Sequence, residues 1–172
     1  MNIIVNVAIY QAVWFLCVLG ETRGAWLAMP LLGLHLFLSP IRILDLKMMG
    51  MLLIVGLSID GILHGLGFIS FNVAARPIPF WLLVIWLALA ILPHHSLAWL
   101  KSRVLLSAFF GALGGPLAYW AGVRLGAAYF NWSVPASLGT LAIIWALLWP
   151  GVMYFAAMDH PMRSKTDEMK MK

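Results

Sequence analysis

The sequence predicts an all-α, polytopic membrane helix bundle of about six transmembrane helices, with the N- and C-termini both on the cytoplasmic side. Three observations carry that expectation. Apolar residues make up 63% of the 172-residue chain and charged residues only 10%, far from the ~25% charge of soluble proteins. Too little polar surface is available to cover so much apolar side chain, so a water-soluble fold of this size is excluded. The apolar residues fall in long runs, and the basic residues alternate between the breaks that separate them.

The runs are Ile3–Leu19, Ala25–Leu38, Met48–Phe71, Phe80–Trp99, Val104–Leu125 and Pro135–Ala157. A span needs about 20 mostly apolar residues. The second run is short, which favours a nearly upright or partly re-entrant helix. The first run has no Lys or Arg before it and no convincing small-residue cleavage site after it, so it reads as a retained helix rather than a signal peptide. With about six spans, one side carries Arg42, Lys47, Lys101, Arg103, Arg163, Lys165, Lys170 and Lys172, and the other carries Arg23, Arg76 and Arg124. The Lys/Arg-rich side is cytoplasmic by the positive-inside rule. Residues 1–158 are thus expected to form one transmembrane domain, and 159–172 a charged, disordered cytoplasmic tail. Trp26, Trp81, Trp99 and Trp132 lie near run ends, where indoles suit the headgroup level.

The net charge of +5 comes with no basic stripe interleaved with aromatics, so it suits orientation and anionic lipid rather than nucleic acid. Membrane lipids, and other membrane proteins, are the partners expected. The sequence leaves the oligomeric state open. Cys17 is alone; it excludes an intrachain disulfide and reads as a small buried hydrophobe.

Polar groups inside the runs mark candidate sites, because an acid in hydrocarbon costs about 2.5–3.5 kcal/mol on insertion scales. Asp60 lies deepest, about 18 Å into the third run at 1.5 Å per residue. Helical spacing places Gly56, Asp60, His64 and Gly67 in one sector and Ser58, Gly61 and Gly65 in another, the latter with the Gly-x-x-x-Gly spacing of closely packed helices. In the fifth run Gly111, Gly115, Gly122 and Gly126 share a side, with Tyr119 at its edge near the depth of His64. Contact between the third and fifth runs would gather Asp60, His64 and Tyr119 in one pocket. Gln11, mid-run in the first helix, is the remaining candidate and suits an interhelical hydrogen bond. Pro116 and Pro93 are expected to kink their helices. His35 and the Pro93-His94-His95-Ser96 cluster lie near the cytoplasmic face, at a different depth from Asp60.

Asp60 and His64 have the i, i+4 spacing of metal ligands, yet two ligands make no site, and a hydrogen-bonded polar pair is the commoner arrangement. No metal and no cofactor is expected. The chain has no His-Glu-x-x-His motif, no nucleophile motif and no phosphate-binding glycine loop.

The segments Gln11–Phe15, Asp60, Trp81 to Trp86, Ser96–Leu100 and above all Gly111–Ala127 (GALGGPLAYWAGVRLGA) resemble the family catalogued as domain of unknown function 2878. The resemblance extends over nearly the whole chain except the tail. It implies a small multi-pass protein of the bacterial inner membrane, with no catalytic residues to carry over, and tilts the ranking towards lipid metabolism.

Four functional classes follow. The leading one binds lipid or a small apolar molecule between the third and fifth runs in support of envelope lipid metabolism, since a polar patch beside glycine-rich faces could seat a headgroup. A transporter or substrate-binding membrane subunit is the second; Ala8-x-x-x-Ala12 suits it, but no inverted repeat is evident. The third is an integral-membrane enzyme using Asp60, His64 and Tyr119 as acid/base groups. The fourth is a structural or assembly protein whose polar residues only hold helices together.

Overall fold

The computed structural model describes residues 2–72 and 76–158; the expected tail from 159 onward lies outside them. Among the described residues there are five α-helices, α1 (Ile3–Leu38), α2 (Arg42–Gly65), α3 (Phe80–Leu89), α4 (Val104–Arg124) and α5 (Val134–Met158), and two short strands, β1 (Ile69–Phe71) and β2 (Ala128–Phe130). By length and composition α1, α2, α4 and α5 could each cross a membrane. Their outward faces carry large apolar side chains such as Leu105, 87% exposed, and Phe37, 80% exposed. These are the features of a helical membrane bundle, in which the core and the surface are both apolar.

The first two predicted runs are joined in α1, which folds back on itself. Glu21 leaves helical geometry (φ 46°, ψ −130°). The Asn6 side chain donates to Ile91 O at 3.0 Å and accepts the Ser96 N–H at 3.1 Å, while the ring of His35 stands 5.1 Å from that of His95. Both ends of α1 therefore meet the same short segment, whereas a straight helix would hold Asn6 and His35 about 43 Å apart. The two limbs approach so closely that a Cβ on Gly24 would lie 1.8 Å from Leu16 O. One end of the bundle holds both ends of α1; the other, the ribbon end, holds the Glu21 turn.

Two other boundaries differ from the sequence expectation. Helix α2 begins at Arg42, ahead of the predicted run, because the polar residues that precede Met48 are engaged: Asp45 is fully buried and hydrogen-bonded. The fourth run is not one span kinked at Pro93. Helix α3 ends at Leu89, four residues before that proline, whose ring excludes the carbonyl of residue i−4 from a helix. Turns with Leu97 N–H bonded to Leu92 O, and a 3-10 turn at Ala98–Leu100, continue the chain beyond it. Pro116, by contrast, is accommodated within α4, which continues as helix on both sides of it.

The ribbon reveals an internal repeat. Leu66-Gly67 ends α2 and Leu125-Gly126 ends α4, with Gly67 at φ 68° and Gly126 at φ 85°, a left-handed cap that glycine adopts without steric cost. Phe68 N–H bonds Leu63 O, and Ala127 N–H bonds Gly122 O. The strands then pair antiparallel about Ser70↔Tyr129. Asn72 Nδ2 donates to Gly126 O at 2.6 Å, and Asn131 Nδ2 donates to Gly67 O at 3.1 Å. Each matched pair is 59 residues apart, the same separation as Asp60 and Tyr119. The unit α2–β1–α3 is thus repeated as α4–β2–α5 about an approximate twofold axis through the ribbon, with both copies running in the same direction. Helix α3 packs on α2 and α5 on α4, while α1 packs chiefly on α3.

Candidate functional site

The repeat places a pair of tryptophans on the axis. Trp86 of α3 and Trp145 of α5 occupy equivalent positions and stack at 5.5 Å with an interplanar angle of 11°. Each indole lies on a glycine of its own unit: a Cβ at Gly56 would come within 2.4 Å of the Trp86 ring, and one at Gly115 within 2.2 Å of the Trp145 ring. Glycine is required at both positions because any side chain would occupy the volume of the indole.

One turn further along the paired helices, Asp60 and Tyr119 are likewise equivalent, and here the symmetry breaks. The buried Asp60 carboxylate accepts from Tyr119 OH at 2.5 Å through Oδ1 and from Trp86 Nε1–H at 2.7 Å through Oδ2. Both oxygens have a donor, so a carboxyl with no exposed surface is retained at tolerable cost.

Beside this network lies a cavity of about 230 Å³. Its walls are Tyr10, Trp14 and Val18 of α1, Trp81 and Ile85 of α3, Gly114, Ala118 and Gly122 of α4, and Trp149 of α5, with Ile69 and Ala128 towards the ribbon. The lining is almost wholly apolar and aromatic; Tyr119 brings it to the edge of the Asp60 network. The cavity occurs where α1 stands against one face of the two-unit core, since α1 has no counterpart in the repeat.

The candidate residues separate accordingly. Asp60 and Tyr119 are brought together. His64 is not with them: its Nδ1 lies 2.9 Å from Pro77 O and its ring 5.2 Å from that of Phe71, facing the loop before α3. A position one turn beyond Asp60 has already reached the end of α2, where the chain turns away from the core. Gln11 is exposed on the outer face of α1, away from the network. Of the glycines expected to pack helices, Gly111 and Gly115 do so against Trp145 and Trp149. Gly61 instead meets Pro77 Cβ at 3.2 Å, Gly65 faces open space, Gly122 opens on the cavity and Gly126 serves the turn. Trp81, read as an interfacial anchor, is 3% exposed and lines the cavity.

A second polar cluster lies at the opposite end from the ribbon. Asp45 of α2 accepts from Ser39 Oγ at 2.5 Å and meets His35 Nε2 at 3.2 Å and His95 Nε2 at 3.0 Å. His35 and Asp45 are fully buried. Alongside, Lys101 Nζ is 3.0 Å from His94 Nδ1.

Sequence reasoning missed Trp86 and Asp45 as site residues. Signals for both were available. Leu-Gly-x-x-x-Phe-Asn occurs at 66–72 and again at 125–131, and Ile-Trp at 85–86 and 144–145, an offset that pairs Asp60 with Tyr119 and Trp86 with Trp145. Asp45 falls in the break between the second and third predicted runs, six residues after Ser39 and ten after His35.

A family model described as "Protein of unknown function (DUF2878)" matches residues 3–151. The chain belongs to that family. No curated protein and no solved structure matches it. The DUF2878 match spans α1 to α4, both strands and most of α5, and so includes both polar clusters and the cavity.

Proposed function

We propose that this DUF2878 protein is an integral protein of the bacterial inner membrane that binds a lipid chain or another apolar small molecule in the cavity between α1, α3 and α4, in support of envelope lipid metabolism. It crosses the membrane six times with both termini in the cytoplasm. The observation that carries the binding reading is the cavity itself: about 230 Å³ of apolar, aromatic-walled space next to a buried polar group. Ligand sites combine an apolar lining with few, well-held polar groups and begin at roughly 300 Å³, so this one suits a chain end or a compact molecule. Tyr119, on the cavity wall and bonded to Asp60, would face its polar atom.

Support for six crossings comes from the fold-back of α1 and from the completion of α3 by the turns after Pro93. The orientation is supported by basic residues grouped by end: Arg23, Arg76 and Arg124 sit in segments at the ribbon end, and Arg42, Lys47, Lys101 and Arg103 in segments at the other. Such an excess marks the cytoplasmic side.

The test is lipid analysis of the purified protein. Gly122 lines the cavity and an added Cβ there meets nothing within 4 Å, so Gly122→Leu directs a larger apolar side chain from the cavity wall. Wild type should retain a selected lipid or apolar metabolite in native mass spectra, and Gly122→Leu should lose it. A wild-type lipid complement matching the bulk membrane, unchanged in Gly122→Leu, removes the binding reading.

A further inference from the structure

The cluster at the end opposite the ribbon is outside the cavity and unused by the reading above. Its three titratable residues come from three separate places in the chain: His35 from the last turn of α1, Asp45 from the first turns of α2, and His95 from the turns after α3. Both imidazoles present the same atom, Nε2, to the same carboxylate. The potential donor atoms all lie within 4.8 Å of one another.

We propose that His35, Asp45 and His95 form a binding site for a divalent transition-metal ion of the zinc class. Zinc takes imidazole nitrogen and carboxylate oxygen at about 2.0–2.2 Å in tetrahedral geometry, which sets neighbouring donors roughly 3.3 Å apart. The nitrogen–oxygen separations are 3.2 Å for His35 and 3.0 and 3.1 Å for His95, already close to that edge. The donor set of two imidazoles and one carboxylate is the borderline combination zinc favours over the all-oxygen sites of magnesium and calcium. Ser39 Oγ holds Asp45 Oδ2, the outer contact by which a ligating carboxylate is oriented. Three protein ligands leave a fourth position for water or another small donor. Because the ligands come from three segments, the ion would fasten the end of α1, the start of α2 and the irregular stretch after α3 to one point.

The competing arrangement is a metal-free clamp in which both imidazoles donate to Asp45, and the experiment separates the two. The full-length protein, purified in detergent from zinc-supplemented cells, is assayed for metal content and, after chelation, titrated with Co²⁺. The site predicts about one zinc per chain and the intense visible absorption of tetrahedrally bound Co²⁺, displaced by Zn²⁺. His95→Ala, at the least buried ligand, should lower Co²⁺ affinity by tenfold or more, and His35→Ala should do the same. Should a variant fail to fold, the wild-type titration alone decides. Wild-type protein with neither stoichiometric zinc nor Co²⁺ absorption overturns the proposal, as does metal retained equally by folded His95→Ala.

Discussion

Asp60 is held by two donors, and that simple fact orders the effects of substitution. In Tyr119→Phe the carboxylate Oδ1 loses its partner while remaining buried, and an unsatisfied buried acceptor costs about 1–3 kcal/mol, more when charged. Asp60→Asn is no neutral exchange either. Tyr119 OH and Trp86 Nε1–H both donate to the acid, whereas an amide has one acceptor oxygen, so its NH₂ must donate to the Tyr119 oxygen and the phenol has to turn its own hydrogen away from the site. Both variants should unfold several degrees below wild type. Cys17, buried and the sole cysteine, supplies the readout: a thiol-reactive fluorophore should label it only as the bundle opens. Equal midpoints for Tyr119→Phe and wild type would show that the hydrogen bond adds nothing. The sequence disclosed the acid, since depth in an apolar run is legible from spacing. It also offered Tyr119 as a partner, on the condition that the third and fifth runs touch; it did not disclose Trp86, because which helix faces which is a property of packing, and an indole in an apolar stretch carries no mark of its hydrogen bond.

Among the elements, the glycines of α4 should divide by what stands opposite each of them. Gly115→Ala drives a methyl to 2.2 Å from the Trp145 ring, and Gly111→Ala one to 2.3 Å from Trp145 O; overpacking of this kind costs about 1–3 kcal/mol. Gly114, next in sequence, meets nothing, and replacing it with alanine inside a helix should stabilise by about 0.5–1 kcal/mol. Thermal midpoints of Gly114→Ala and Gly115→Ala should therefore move in opposite directions. Glycine spacing alone could not rank them, since Gly111, Gly115, Gly122 and Gly126 look alike on a helical projection and only the first two face α5. Element boundaries failed for a related reason. Hydropathy separates apolar from polar stretches, whereas α2 starts among polar residues that are buried, and α3 stops inside an apolar run because Pro93 cannot join it.

The scale of the whole molecule is where the chain divides into two units that meet through the ribbon, the tryptophan stack and the Asp60 network. Ser70 and Tyr129 are directly opposed in the ribbon, within the range of Cα separations that a disulfide spans. The double variant Ser70→Cys/Tyr129→Cys should cross-link on mild oxidation, while Ser70→Cys with Ser58→Cys, on the exposed side of α2, should not. Failure of the first pair to close would mean that the strands are not paired in this register. Reporter fusions at both termini should read the same compartment, and opposite compartments would contradict an even number of crossings. The membrane character and the number of apolar runs were legible because composition and length determine them. The two-unit plan was harder to see, since most equivalent positions differ in identity and agree only in apolar character.

The approximate twofold axis has a consequence for what this core can contain. Two separate but identical chains arranged in this way would bring position 60 against its own copy, acid against acid or phenol against phenol. Two buried carboxylates in contact would repel, and two phenols would leave no strong acceptor between them. Joining the units in one polypeptide lifts that restriction, so that one half can carry Asp60 and the other Tyr119. It also allows α1 to cover only one of two otherwise similar faces. Covalent linkage is therefore what permits the two sides of the axis to differ, with a cavity and a polar group beside it formed where α1 stands.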